Sequence, residues 1–147
     1  MAIILVDIDG TIANIPDDYF AFIKVKPKHW QAFEFHIKHD DKIEPVLYLL
    51  DLFAKNNDTI ILLTARPERN REDTIKWLKL NKVPFDFMYM RSDNDFRPDN
   101  IVKEELLDLI EKEFGKAFMV FEDRKHNCDM FVRNGIFVFN VAQTENA

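Results

Sequence analysis

Five short apolar runs recur along the chain: Ile3–Val6, Thr59–Leu63, Phe87–Met90, Ala117–Phe121 and Ile136–Asn140. Each is too short for a buried helix, so each predicts a buried strand. Between them the apolar positions switch to a helical period. Val46, Leu49, Leu50 and Phe53 fall at i, i+3, i+4 and i+7; Val102, Leu106, Leu109 and Ile110 fall at i, i+4, i+7 and i+8. Ile75 and Leu78 share a face in "REDTIKWLKL", and Cys128, Phe131 and Val132 share one in the last helix. Asn56, Asn57 and Gly115 supply helix stops. Strands apolar on both faces that alternate with helices predict a parallel sheet covered on both sides, a doubly wound α/β domain.

One stretch breaks this rhythm. Ile12 to about Glu44 is aromatic and holds three of the four histidines. It predicts a small, mostly helical insert over the first strand, spanning about residues 13–44. No repeat or low-complexity linker divides the chain, so residues 1–147 are expected to form one domain.

Composition adds limits. The chain is 47% hydrophobic and 31% charged, ordinary for a soluble globular protein. Fourteen Phe residues predict a well-filled core. A net charge of −6 argues against broad non-specific nucleic-acid binding, which depends on Lys and Arg, but leaves room for a local basic site. The single cysteine, Cys128, excludes an internal disulfide and a Cys-based zinc site, and fits a reducing compartment. The apolar run Ala2–Val6 is too short for a signal segment or a membrane span, so a cytoplasmic protein without membrane attachment is expected. Three glycines occur, in neither G-x-G-x-x-G nor P-loop spacing, which weakens dinucleotide-binding and kinase readings. Nothing in the sequence sets an oligomeric state.

Doubly wound sheets bind ligands beyond the carboxyl ends of their strands. The first strand is followed by Asp7, Asp9, Gly10 and Thr11; the second by Thr64 and Arg66. The third is followed by Arg91, Ser92, Asp99 and Lys103; the fourth by Glu122, Asp123, Arg124 and later Asp129. Acids, hydroxyls and cations thus converge on one edge. Asp7 and Asp9 repel each other, and partial burial strengthens the repulsion, so the pair calls for a cation or for water. Strand alternation sends both carboxylates the same way and Ile8 to the core, and Gly10 lets the chain turn sharply. Arg124 and Lys125 suit either a solvated face or a substrate patch. His29, His36 and His39 have spacings that fit neither one helical face nor a usual zinc pattern. Trp30, Phe33 and Phe35 read as packing rather than as a base-stacking platform.

"VDIDGT", "LLT", a lysine opening a helix, and "FED" with a later acid resemble, in order, the four motifs of the haloacid-dehalogenase (HAD) superfamily of phosphotransferases, over residues 3 to about 140. The resemblance implies a HAD-like three-layer Rossmannoid fold and a phosphatase. It makes Asp7 the nucleophile that becomes an aspartyl-phosphate, and Asp9 the group that protonates the leaving oxygen and then activates water. It implies Mg²⁺ held by Asp7, the Asp9 carbonyl and a later acid. Asp123 is the first choice for that acid, with Glu122 as an indirect contributor and Asp129 a weaker candidate. Thr11, Thr64 and Lys103 become contacts to the phosphoryl group, whose spread charge needs fixed cations and dipoles.

"TARPERNREDTIKWL", "RSDNDFRPDNIVKEELL" and "FEDRKHN" more closely resemble the 3′-phosphatase domain of bacteriophage-type polynucleotide kinase. That resemblance makes Arg66 a phosphate contact and Asp99 the orienter of a basic neighbour, with Arg124 in support. Lacking a P-loop, the chain corresponds at most to the phosphatase part, and a kinase activity would sit on a separate partner. The expected substrate is a 3′-phosphate on a DNA or RNA end. The short insert and the short 91–116 connection leave no room for a bulky lid, and an open site admits a polymer end. Two alternatives stand beside this: a 5′(3′)-nucleotidase acting on free nucleotides with the insert as its lid, and a non-catalytic HAD-fold binding module. The intact Asp7/Asp9 pair argues against the second.

Overall fold

The computed structural model describes residues 1–143. In chain order it contains β1 (Ile3–Val6), β2 (Ala13–Asn14), α1 (Ala21–Lys24), α2 (Trp30–Glu34), β3 (Asp41–Lys42) and α3 (Glu44–Lys55). There follow β4 (Thr59–Pro67), α4 (Arg71–Leu80), β5 (Phe87–Arg91), α5 (Asp99–Phe114), β6 (Met119–Glu122), α6 (Lys125–Arg133) and β7 (Phe137–Asn140). Five strands form one parallel sheet in the order β5-β4-β1-β6-β7. All five expected strands are present, and the α/β class is as read.

The alternation within strands explains why they looked apolar throughout. Ile4, Val6, Ile60 and Leu62 face one helical layer, where Val46, Leu47 and Leu50 of α3 and Trp77 and Leu78 of α4 pack. Leu5, Ile61, Leu63 and Val120 face the other, against Leu107 and Ile110 of α5 and Met130 and Phe131 of α6. Both faces are dry, so both parities are apolar. No helix among the described residues is long and apolar enough to cross a membrane.

Three local expectations are corrected. On α5 the buried face is Val102, Lys103, Leu107 and Ile110, and Leu109 points outward. The helix is rotated toward a buried lysine, which an apolar count scores as surface. On α6, Val132 is exposed, and Asn127, Cys128, Met130 and Phe131 lie inward. The phenylalanines do not fill the core: among the described residues only Phe121 and Phe131 are buried, whereas Phe87, Phe137 and Phe139 lie on the sheet's outer strands. The helix–sheet interlayers are filled instead mainly by Ile, Leu and Val.

The insert has a stem that periodicity did not indicate. β2 and β3 pair antiparallel, Ala13 with Lys42 and Asn14 with Asp41. Between them stand α1, α2 and two 3₁₀ turns, Asp17–Phe20 and Phe35–Lys38, so the mostly helical expectation holds. Phe33 packs against Phe20 and His36 at ring-centroid distances of 5.6 and 4.8 Å. At the insert's end, the Trp77 indole donates to the Asp40 carbonyl at 3.0 Å and ties it to α4.

Candidate active site

Asp7 extends β1 by one residue. Its N–H donates to Phe121 O at 3.0 Å, which fixes its side chain at the carboxyl edge between β4 and β6. The chain then folds back: the N–H groups of Thr11, Ile12 and Ala13 all donate to Ile8 O at 3.0–3.1 Å. Ile8 is fully buried, as alternation requires. Gly10 sits at φ +83°, and a Cβ there would lie 2.0 Å from Asp123 Oδ2. The position needs glycine for its backbone and for its closeness to Asp123. Gly10→Ala is expected to destabilise the fold by about 1–2 kcal/mol through left-handed strain alone, read by urea unfolding.

Lys103, in the second turn of α5, has its ammonium 2.8 Å from Asp7 Oδ1 and 2.7 Å from Glu122 Oε2. It is 2% exposed. Burial alone would strip its proton, but the Asp7 and Glu122 charges outweigh burial and keep it charged. Thr11 Oγ1 donates to Asp7 Oδ2 at 3.2 Å. Asp7 nevertheless has its pKa well above the ordinary carboxylate value, first because it is buried and then because Glu122 repels it. Burial, together with the Glu122 charge, pushes Asp123 up to about 6. Glu122 is itself held low: burial opposes its charge, but Lys103 and the Arg124 N–H overcome burial.

Asp7, Glu122 and Asp123 present oxygen atoms within 4.8 Å of one another. Glu122 is already engaged, by Lys103 at one oxygen and by the N–H groups of Asp123 and Arg124 at the other. Asp123 Oδ1 is buried with no partner. A set of hard oxygens with an orphaned carboxylate atom fits a Mg²⁺ ion: Asp7 and Asp123 could offer it oxygens, whereas both Glu122 oxygens are already engaged.

Beside this centre lies a second charged group. Arg66 donates from Nε and Nη2 to Asp9 at 3.0 and 2.6 Å, from Nη1 to Thr74 Oγ1 at 3.1 Å, and from Nη2 to Asp40 Oδ2 at 3.0 Å. Asp40 in turn binds His36 Nδ1 at 2.8 Å. Burial would raise the Asp9 pKa, but Arg66 overcomes burial and holds it ionised. Asp9, His36 and Asp40 also lie close enough to hold a cation, but the Arg66 guanidinium already stands between the two carboxylates.

The expected stations thus meet at one edge. Thr64 and Arg66 lie not in a loop but within β4, which continues to Pro67 and pairs there with Arg91 of β5 after a register shift. Thr64 Oγ1 accepts the Arg66 N–H at 3.1 Å. Asp99 does lie against basic neighbours: Arg91 at 2.6 Å and Arg124 at 3.3 Å. Asp129 is corrected as a metal candidate: it is exposed, pairs with Lys125 at 2.9 Å, and lies outside the carboxylate group.

Asp40, His36 and Thr74 were missed. The i,i+4 spacing of His36 and Asp40 in "HIKHD" was the one available signal. Asp40→Ala removes a buried partner of Arg66 and leaves His36 unpaired. It should cost about 1–3 kcal/mol in urea unfolding, while Arg66 keeps Asp9 and Thr74.

The sequence matches the family described as the polynucleotide kinase PNKP phosphatase domain over residues 1–145. The chain belongs to that family. It is a HAD-type phosphatase domain. A chain in the structure of the Pnkp1/Rnl/Hen1 complex is 29% identical, with a TM-score of 0.75 over 96% of this chain and 46% of that one. A chain in the Pnkp1/Rnl/Hen1 RNA repair complex is also 29% identical, with a TM-score of 0.76 over 98% and 43%. This phosphatase domain therefore spans less than half the length of those relatives. A haloacid dehalogenase-like hydrolase from Streptococcus pneumoniae shares the fold at 12% identity, TM-score 0.69, over 95% and 84% of the two chains. So does D,D-heptose 1,7-bisphosphate phosphatase from B. bronchiseptica, solved with magnesium and phosphate, at 13% identity, TM-score 0.65, over 95% and 80%. No curated protein matches the sequence.

Proposed function

We propose that the protein is a Mg²⁺-dependent phosphomonoesterase that removes 3′-phosphates from polynucleotide ends through an aspartyl-phosphate on Asp7. The observation that carries this reading is the placement of Asp7, held by buried Lys103, beside an Asp9 held by Arg66, at the carboxyl edge of the sheet. A Mg²⁺ bound by Asp7 and Asp123 would neutralise charge on the phosphoryl oxygens.

The chain's own groups do the rest. Asp7 attacks phosphorus, the new O–P bond forms, and the bond to the 3′-oxygen breaks. Lys103 and Thr64 stabilise the charge on the equatorial oxygens. Asp9 gives a proton to the leaving 3′-oxygen, which departs as a hydroxyl. In the second displacement Asp9 takes a proton from water as the water attacks the aspartyl-phosphate, and inorganic phosphate leaves. The Arg66 pairing suits Asp9 to the second role, since it holds the carboxylate ionised. For the first role Arg66 must move to the phosphate oxygens, which frees Asp9 to carry a proton.

The relatives in an RNA repair complex support a nucleic-acid end as substrate. A cytoplasmic location suits such work. A substrate panel tests the reading: a 3′-phosphorylated oligonucleotide against 3′- and 5′-mononucleotides, with Mg²⁺ supplied and chelated. The oligonucleotide should turn over fastest, and chelation should abolish turnover. Faster turnover of the mononucleotides would favour the nucleotidase instead, and a rate that survives chelation would remove Mg²⁺ from the account. In the same assay Gly10→Ala, by displacing Asp123, should raise the Mg²⁺ concentration for half-maximal rate roughly tenfold.

A further inference from the structure

The insert carries a surface that neither the core nor the site uses. Residues 24–39 hold four lysines and one acid, a local charge of +3 in a chain whose total is −6; the rest of the chain carries −9. That one acid, Glu34, is paired with Arg69. Lys24, Lys26, Lys28 and Lys38 are all exposed.

Two large rings stand among these cations. Trp30 is 49% exposed and Phe35 52%. Packing accounts for Phe33, but Trp30 touches it only edge-on, at 6.0 Å, and neither Trp30 nor Phe35 is in the core. Lys28 Nζ lies 5.4 Å from the Trp30 ring centre, and Lys38 Nζ 5.0 Å from that of Phe35. The two rings and Lys28 line one cleft of about 490 Å³, together with His29 and Gln31. Exposed aromatics interleaved with lysines form the surface on which successive bases stack while the backbone phosphates are neutralised.

This surface is tied to the reaction centre through a chain of bonded residues. Phe35 and Lys38 share a 3₁₀ turn with His36. His36 binds Asp40, Asp40 binds Arg66, and Arg66 binds Asp9, at 2.8, 3.0 and 2.6 Å. The Glu34–Arg69 pair and the Arg69 N–H bond to Asp93 at 2.7 Å fasten the same insert to the loops after β4 and β5.

We propose that Trp30, Phe35, Lys28 and Lys38 hold the single-stranded segment of a polynucleotide immediately 5′ of its terminal phosphate, and so make a polymer end the preferred substrate over a free nucleotide. The proposal rests on reading the site as a 3′-phosphatase. It predicts that affinity rises with strand length by stacking on the insert.

The test separates strand binding from chemistry. A 5′-fluorescein 10-mer ending in a 3′-hydroxyl, in one DNA and one RNA arm, is titrated by anisotropy, and turnover of p-nitrophenyl phosphate is measured in parallel. The double variant Trp30→Ala/Phe35→Ala should weaken 10-mer binding about tenfold or more and raise KM for the 3′-phosphorylated 10-mer in proportion. Its kcat and its p-nitrophenyl phosphate turnover should be unchanged. The charge variant Lys28→Gln/Lys38→Gln, which alters only exposed side chains, should reduce the slope of log affinity against log salt by about 1.4. The arm that binds more tightly identifies the sugar. Unaltered binding and KM in both variants would overturn the strand surface and leave the 3′-phosphatase reading intact. Weakened 10-mer binding in a protein that hydrolyses no 3′-phosphate would do the reverse.

Discussion

Asp7→Asn should lose phosphatase activity by about 10⁴-fold or more and, without Mg²⁺, become more stable than the parent protein. The first half follows from removing the proposed nucleophile, since an amide cannot form the aspartyl-phosphate. The second half follows from the site's electrostatics. Asp7 is buried, faces Glu122, and has its pKa raised despite Lys103, so its charge opposes folding at neutral pH. An amide of the same shape removes that penalty, and Lys103 keeps Glu122 at 2.7 Å. The gain should be about 1 kcal/mol near pH 7. A raised folded-state pKa means that the native state binds more protons. The penalty is therefore absent below the unfolded carboxylate pKa and grows as the pH rises above it. The stability advantage of the variant should accordingly vanish on acidification to about pH 4. Activity with an aryl phosphate and urea unfolding in chelator, at pH 4 and pH 7, check both halves. Retained turnover would remove Asp7 as the nucleophile; a less stable variant at pH 7 would remove the electrostatic account.

The legible parts of the protein were those with a period or a station. The strands were readable because a sheet covered on both faces makes every position apolar, and the burial of Ile4, Leu5 and Val6 shows that reason directly. Asp7, Thr64 and Asp123 stood out because strand ends are where such folds assemble sites; Lys103, on α5, stood out through the family resemblance. The α5 face was misread for a reason tied to charge pairing at the sheet edge. The helix turns inward a lysine that exists to meet two carboxylates, and hydropathy counts that residue as solvent-facing. Asp40 and His36 were illegible for another reason. The insert's helices are four and five residues long, too short to show a period. The partner of Asp40 lies 26 residues away on another element. Phenylalanine content misled because it was counted without regard to place: seven of the fourteen rings are at least 40% exposed.

Lys103→Met should be the most destabilising single change at the site. The lysine is fully enclosed and is the cation between Asp7 and Glu122. Methionine fills most of the volume but leaves those two carboxylates, with Asp123 beside them, uncompensated out of water. Breaking a buried pair from one side costs about 3–5 kcal/mol. Two dependences distinguish this from a packing defect. Lowering the pH from 7 toward 5 should shrink the deficit, because the carboxylates, already raised by burial and mutual repulsion, take up protons in the folded state first. Mg²⁺ should shrink it as well, since Asp7 and Asp123 then share a cation from solution. A packing defect would respond to neither. Turnover should fall by about 10²–10³-fold even with Mg²⁺ saturating, because the fixed positive charge proposed to meet the phosphoryl oxygens is gone. Urea unfolding across pH 5–8, with and without Mg²⁺, reads the stability terms, and kcat with an aryl phosphate reads the last. A deficit that is flat in both pH and Mg²⁺ would mean that Lys103 serves as filler. The repulsion built into "VDIDGT" would then have to be offset by some other group.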